Sequence, residues 1–248
     1  MIVYLHIGIH KTGSTSVQDF LSEKRTDLAQ SGIAFYQGSI IDSNHIELYL
    51  SALDDNRDSL ALLSLDIGPL DALRRRTKQE VADFLAQTTA DQVIFSSEGL
   101  SLLRSPSEMT KLYEMLDASN HTVKVVCVLR DKTEYLQAYK GQILKVPGRK
   151  LSKDPGSSLY AEPDSWLADF DSLVDAYGRA FGRENVETID FDSIMAKSSD
   201  ILPEVLRKLN VSPSLIPAAG VQKRSNKSSL LNRTKQSIYK VISAVRAR

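Results

Sequence analysis

Short runs of apolar residues recur along this chain, and the stretches between them have apolar residues every three or four positions. The runs lie at 2–5, 33–36, 93–96, 123–129 and 186–191, and they are rich in β-branched and aromatic residues. Such runs are typical of buried strands, whereas the spacing between them is typical of helices. Strands that lack a polar face and alternate with helices predict an α/β fold of three layers, a parallel sheet with helices on both faces.

The helical stretches can be bounded from the sequence. The first begins at Ser14 or Thr15 and continues to residue 31, where Gly32 can end it because glycine readily takes a positive φ. Further helices are predicted at 46–53, 69–87, 106–116, 133–144, 166–181 and 201–209. Each lies between two predicted strands or follows the last one.

Composition narrows the class of protein. The chain has 248 residues, of which 42% are hydrophobic and 25% charged, as in ordinary globular proteins. Its formal net charge is zero, so we expect neither nucleic acid nor a membrane surface as a partner. The single cysteine, Cys127, excludes an internal disulfide and a metal site built on several cysteines. Without a leader segment or a membrane-spanning run, a cytoplasmic location is expected.

One domain is expected over residues 1–248. Within it, the segment 146–163 is interrupted by prolines and glycines, which predicts a long, exposed and mobile loop that could act as a lid. The last segment, 230–248, is basic and has helical spacing, which predicts a terminal helix packed on the domain.

The segment after the first strand has the composition of an anion site. Gly8 and Gly13 allow a tight turn, Lys11 brings a positive charge, and a helix begins directly afterwards. The first N–H groups of a helix lack partners within it and carry partial positive charge, so a phosphate is the expected ligand. Hydroxyl donors are supplied by Thr12, Ser14, Thr15 and Ser16.

The spacing distinguishes this segment from the usual ATP loop. Four residues separate Gly8 from Gly13, as in ATPases and GTPases, but those loops continue with a lysine. Here Ser14 follows, and Lys11 lies two positions before Gly13. The residues alone leave open a displaced-lysine nucleotide loop, an altered ATP-type loop and a generic anion site.

The string from Lys11 to Ser16, KTGSTS, resembles the 5′-phosphosulfate loop of bacterial and carbohydrate sulfotransferases. The resemblance implies a P-loop nucleotide-binding fold. It also implies transfer of a sulfonate group from 3′-phosphoadenosine 5′-phosphosulfate (PAPS) to a hydroxyl of a carbohydrate or other small acceptor. The product would be adenosine 3′,5′-bisphosphate, and no metal would be required. Lys11 would stabilise the leaving phosphate, and the donor would be held by His10, Lys11, Thr12, Gly13, Ser14, Thr15 and Ser16.

A glutamate and a histidine are the two kinds of candidate for the base that takes the acceptor's proton. Glu98 follows the strand at 93–96 and falls near Lys11 if the two strands are neighbours, because ligands collect at the carboxyl ends of parallel strands. The resemblance favours Glu98, since a glutamate serves in the bacterial and heparan-type branches. A histidine serves in the aryl and steroid branch, so His45 or His10 remains an alternative, because histidine has an ordinary pKa near neutrality. Of the two, His10 is expected to shape the loop.

The resemblance also assigns residues to the 3′-phosphate of the donor. Arg130 follows the strand at 123–129, where the family has an arginine for this phosphate. The family has a serine eight residues later, but here that position is Ala138. Tyr139, Lys140 or Gln142 could substitute for it. Lys223 and Arg224 resemble the late basic loop that closes over the nucleotide.

Two other function classes stay open from the sequence. One is a kinase-like enzyme that uses ATP and magnesium. The other is a non-catalytic nucleotide-binding protein, with which Ala138 in place of the serine is compatible.

Overall fold

The computed structural model describes residues 1–218, and its centre is one sheet of parallel strands in the order β2–β3–β1–β4–β5. The strands are β1 Ile2–His6, β2 Ile33–Phe35, β3 Gln92–Ser96, β4 Thr122–Leu129 and β5 Val186–Asp190. All five predicted strands are present. The predicted parallel α/β sheet is therefore confirmed.

Helices connect the strands. Within residues 1–218 they are α1 Ser14–Glu23, α2 Arg25–Gln30, α3 Ile46–Ala52, α4 Leu70–Gln87, α5 Pro106–Met115, α6 Lys132–Lys145, α7 Phe170–Phe181, α8 Phe191–Ser198 and α9 Leu202–Lys208. Short 3₁₀ turns occur at Glu98–Leu102, Trp166–Ala168 and Arg183–Asn185. Most predicted helices are thus confirmed, and three details differ.

The differences have local causes. The first predicted helix breaks at Lys24, and α2 turns toward β2, where the Arg25 guanidinium donates to the Phe35 carbonyl. The helix predicted from residue 166 begins only after Asp169, whose carboxylate caps α7. The unpredicted α8 follows β5 directly because Asp190 caps it by accepting from the Ser193 N–H. An aspartate at such a position satisfies one of the free donors of a helix start.

The sheet is covered on both faces, as the sequence predicts. Val3 and Leu5 of β1 point into one core, which also contains residues of α3 to α7, whereas Tyr4 points into the other, with residues of α1, α2 and α9. Successive side chains of a strand point to opposite faces, so a central strand that is apolar throughout needs two cores. The result is the three-layer architecture.

The position of β1 determines where a ligand can bind. β1 lies between β3 and β4, and His6 at its end is in register with Ser96 and Val126. The chain moves from β1 outward to β2, returns through β3, and then crosses to β4 on the other side of β1. Parallel sheets bind ligands at the carboxyl edge beside such a change of direction. β1 and β3 are neighbours, so the condition for bringing Glu98 near Lys11 is met.

The segment 146–163 is less exposed than the sequence indicates. Its first part is largely exposed, but Ser157, Ser158 and Leu159 are buried. The Asp58 carboxylate accepts hydrogen bonds from the Ser157 hydroxyl and, at 2.6 Å, from the Ser158 N–H. The expectation of a loop exposed along its whole length is therefore wrong. Asp58, which precedes α4 in the chain, holds the second half of the loop against the domain by these hydrogen bonds.

Among residues 1–218, no helix combines the length and apolar character needed to cross a membrane. Lys223, Arg224 and the helix predicted at 230–248 lie outside the described residues.

The glycine before α1 provides a test of the loop conformation. Gly13 has a φ of 84°, and a Cβ there would lie 2.6 Å from Cγ2 of Ile201. We expect Gly13→Ala to lower the free energy of unfolding by about 2–4 kcal/mol, the sum of a left-handed backbone and an overpacked contact. Urea denaturation measures this quantity.

The matched control is Gly141→Ala in α6, where an added Cβ meets no atom within 4 Å. Alanine favours helix, so this variant should be as stable as wild type or more stable by up to about 1 kcal/mol. Equal effects of the two substitutions would contradict the structure of the loop.

Candidate functional site

The loop between β1 and α1 is held along β4 by its own backbone. The N–H groups of Ile7 and Ile9 donate to the carbonyls of Val126 and Val128, at 2.9 and 3.0 Å. The Thr12 hydroxyl donates to the Ile9 carbonyl at 2.6 Å and closes the turn. Lys11 has a φ of 69°, which a lysine seldom adopts outside a constrained turn. The loop is therefore a fixed backbone structure that delivers the chain to the start of α1.

The start of α1 has the features of an anion cradle. The Ser14 hydroxyl is buried and makes no hydrogen bond to any described residue. A Cβ at Gly8 would lie 2.8 Å from the Thr12 hydroxyl and 3.0 Å from the Ser14 hydroxyl, so only glycine lets the loop fold this tightly. A buried hydroxyl without a partner costs about 1–3 kcal/mol. An anionic group at this helix start would satisfy it together with the free N–H groups.

Thr15 and Ser16 are exposed on the first turn of α1, beside this cradle. The structure thus brings together the predicted hydroxyls of Ser14, Thr15 and Ser16. The Thr12 side chain differs, because its hydroxyl is used within the loop.

Lys11 is exposed, and its pKa is lowered. The main cause is partial loss of water around the ammonium group, and the charge of Lys145 at the end of α6 lowers the pKa further. Glu98 acts in the opposite direction. An anionic ligand beside Lys11 would offset the repulsion between the two lysines and favour the charged ammonium.

Glu98 begins the 3₁₀ turn that follows β3, and it is half-buried. The preceding N–H, that of Ser97, donates to the His6 carbonyl at 3.1 Å, so β3 stays joined to β1 up to this point. Oε2 of Glu98 accepts from Nε2 of Gln18 and from Nδ2 of Asn44, each at 3.0 Å. The structure therefore places Glu98 at the same edge as Lys11, within range of its charge.

His45 is not available as a base, which corrects one prediction. Its ring is fully buried; Nε2 donates to the Tyr36 carbonyl at 2.9 Å, and Nδ1 accepts from the Ser96 N–H at 2.9 Å. Phe35 and Phe95 also contact the ring. Burial lowers the pKa of His45 to about 3. A neutral ring with both nitrogens bonded to backbone groups holds β2, β3 and the start of α3 together.

His6 and His10 have structural environments as well. Nδ1 of His6 forms a hydrogen bond with the Ser96 hydroxyl at 2.8 Å, and burial lowers the pKa of His6 to about 4. The His10 ring stacks on Tyr139, with 5.0 Å between centroids, and burial lowers its pKa. His10 therefore connects the loop after β1 to α6, in keeping with a role in shaping the loop.

Arg130 follows β4 and contacts the loop directly. Its Nη1 donates to the Lys11 carbonyl at 3.2 Å, and its Nη2 forms an ion pair with Glu134. The guanidinium also lies over the Phe191 ring, 5.3 Å from the centroid. Arg130 is thus oriented at the same edge as the loop.

The three residues near Ala138 that could substitute for the serine lie in different environments. Tyr139 is buried against His10, and Lys140 forms an ion pair with Glu162 at 2.9 Å. Gln142 is half-buried on α6. Lys140 is thus paired with a carboxylate, whereas Tyr139 packs against the loop after β1.

Sequence reasoning missed Gln18, Asn44 and Ser97. The Ser97 hydroxyl donates to Oδ1 of Asn44 at 2.8 Å, which completes the polar cluster around Glu98. One feature of the sequence points to this cluster: Gln18 is a polar residue at a buried position of α1, next to Val17. Within residues 1–218, no group of three or more His, Cys, Asp or Glu side chains could hold a metal ion.

The buried His45 generates a pH-dependent prediction. Its folded pKa of about 3 lies below the ordinary value of 6.5, so the unfolded chain binds an extra proton between these values and stability falls as pH decreases. In His45→Gln this proton uptake is absent. We expect the slope of unfolding free energy against pH, measured by urea denaturation from pH 6 to 5, to decrease by about 1 kcal/mol per pH unit. Parallel curves for the variant and wild type would contradict a neutral, buried His45.

No protein-family model and no curated protein matches this sequence. Several solved structures, in contrast, are similar to this chain. A sulfotransferase from Alicyclobacillus acidocaldarius is similar over 99% of this chain and 95% of its own, with a TM-score of 0.54 and 15% identity. The sulfotransferase domain from the curacin biosynthetic pathway gives a TM-score of 0.45 and 12% identity, over 86% of this chain and 76% of its own.

The first comparison covers nearly the whole of both chains, so the similarity concerns the complete domain rather than one shared motif. At 15% identity it establishes the fold. This chain therefore shares its α/β fold with that sulfotransferase.

Proposed function

We propose that this protein is a sulfotransferase that moves a sulfonate group from PAPS to a hydroxyl of a carbohydrate or other small acceptor. One observation carries the proposal. Three adjacent strands, β3, β1 and β4, end at one edge with Glu98, the Lys11 loop and Arg130. Sulfonate transfer needs a base, a cation at the leaving oxygen and a holder for the donor's phosphates, and these groups match those needs. The shared fold supports the same function.

The loop after β1 would hold the 5′-phosphate side of the donor. Ser14 offers a buried hydroxyl without a protein partner, and the N–H groups at the start of α1 add partial positive charge. Lys11 would place its ammonium at the bridging oxygen, where negative charge develops during transfer. Thr12 contributes by closing the loop, since its hydroxyl already donates to the Ile9 carbonyl.

Glu98 would accept the proton from the acceptor hydroxyl. Glu98 lies just after β3, the strand that pairs with β1, and its charge is close enough to influence the pKa of Lys11. A base in this position removes the proton as the new oxygen–sulfur bond forms. The sulfonate group carries less negative charge than a phosphoryl group, so the proposal requires no metal.

Arg130 would bind the 3′-phosphate, which distinguishes PAPS from other adenine nucleotides. Its guanidinium is fixed by the Lys11 carbonyl on one side and by Glu134 on the other. Arginine is suited to phosphate because its planar donors can bind two oxygens at once. Lys223 and Arg224, outside the described residues, would supply further cations over the nucleotide.

Calorimetry with adenosine 3′,5′-bisphosphate tests the donor assignment. The wild-type protein should bind the bisphosphate more tightly than AMP. Arg130→Ala should weaken bisphosphate binding about 10–100-fold, the loss of a charged hydrogen-bonding contact, and leave AMP binding nearly unchanged. The control is Arg183→Ala, which removes an exposed arginine paired with Asp175 ahead of β5. Equal affinity for AMP and the bisphosphate would refute the assignment, and magnesium-dependent ATP binding would indicate the kinase-like alternative.

Lys11→Ala tests the leaving-group role. Transfer should decrease at least about 100-fold, as when a group that stabilises transition-state charge is removed. The free energy of unfolding should change little, because the side chain is exposed. Lys78→Ala on α4, which removes an exposed lysine facing Glu114, is the control. Normal turnover by Lys11→Ala would exclude the proposed role.

A further inference from the structure

Gln18 is a polar residue on the buried, otherwise mainly apolar side of α1. It lies on the buried side of α1 with Val17, Phe20 and Leu21, and only 4% of its surface is exposed. A buried amide destabilises the fold unless it forms hydrogen bonds. Its Nε2 donates to Oε2 of Glu98 at 3.0 Å, across 80 positions of sequence. The contact with Glu98 therefore accounts for an amide at this position.

Asn44 makes the second contact to the same oxygen. Its Nδ2 donates to Oε2 of Glu98 at 3.0 Å, and its Oδ1 accepts from the Ser97 hydroxyl at 2.8 Å. The Ser97 hydroxyl thus fixes which way the Asn44 amide faces, with its donor toward the carboxylate. The orientation of Glu98 is determined from α1 and from the segment before α3 at once.

The two amides donate to only one of the two carboxylate oxygens of Glu98. Both donors bind Oε2, whereas Oε1 forms no hydrogen bond with any residue in the described part of the chain. One oxygen is anchored and the other is available to a ligand. An orientation fixed in this way is what a general base needs, because proton transfer depends on close alignment of the reacting atoms.

We propose that Gln18 and Asn44 are positioning residues that hold Oε2 of Glu98 so that Oε1 receives the acceptor's proton; this rests on the proposed function. Gln18 also links the base to the donor. It lies four residues after Ser14 on the same helix, about 6 Å along the axis. The start of α1 would hold the donor's phosphate, and Gln18 on the same helix holds Glu98. The base would therefore keep a fixed position relative to the bound donor.

Three variants separate this role from simple packing. Gln18→Met keeps the length of the side chain and removes the donor. Asn44→Asp keeps an acceptor for the Ser97 hydroxyl, removes the donor to Glu98 and places a carboxylate beside it. Gln18→Glu likewise replaces a donor by a second carboxylate, and two adjacent carboxylates disfavour ionisation of either group. The matched control is Gln79→Met, since Gln79 also donates to a carboxylate, that of Asp83 at 2.8 Å, but on the exposed side of α4.

The kinetic test compares the effect of each substitution on kcat with its effect on bisphosphate affinity. Gln18→Met and Asn44→Asp should lower kcat about 10–100-fold, the range expected for a misplaced general base, and change bisphosphate affinity by less than about threefold. In Gln18→Glu, the acid limb of the pH–rate profile should move upward by about one pH unit. Gln79→Met should leave all three quantities unchanged. Unaltered kcat and pH profile in both Gln18 variants would overturn the positioning role.

A second readout does not depend on turnover. Carbon NMR of isotope-labelled glutamate follows the ionisation of Glu98, identified by its loss in Glu98→Gln, which also removes transfer if Glu98 is the base. The Glu98 signal should titrate at higher pH in Gln18→Glu than in wild type, and an identical titration would refute the contact. Wild-type protein that shows this contact but transfers no sulfonate would refute the proposed function instead, so the two failures are distinguishable.

Discussion

The backbone pairing that continues past the end of β1 is the constraint on which the site depends. The N–H groups of Ile7 and Ile9 bond to β4, and the Ser97 N–H bonds to the last residue of β1 on the other side. These bonds place the loop between its two neighbouring strands and leave it little freedom. The distance from Lys11 to the ends of β3 and β4 is therefore a property of the sheet, not of flexible side chains.

Much of this arrangement follows from the sequence, because strand ends and helix starts have local signals. The apolar runs locate β1, β3 and β4, and the parallel fold then requires that Lys11, Glu98 and Arg130 meet at one edge. The cluster around Glu98 has no such signal. Gln18 contacts a residue 80 positions away and Asn44 one 54 positions away, and neither separation is encoded in local periodicity.

His45 shows why residue type alone misleads. At the start of a helix, beside a predicted strand, a histidine could face a ligand or the interior. The packing of Phe35, Tyr36 and Phe95 around it decides the matter, and those contacts join three separate segments of the chain. The segment 146–163 gives a second example. Its composition indicates exposure, but hydrogen bonds to the Asp58 carboxylate hold Ser157 and Ser158 in the interior.

The choice of neutral partners for Glu98 has a chemical consequence. His6 and His45, which join the strands beneath the site, have lowered pKa values of about 4 and 3 and are uncharged near neutral pH. Within residues 1–218, the side chains that donate to the Glu98 carboxylate are amides. A lysine or arginine in their place would orient the carboxylate equally well, but its charge would favour the ionised form and weaken the carboxylate as a proton acceptor. Amide donors provide orientation without that loss, which suits a group whose task is to take a proton.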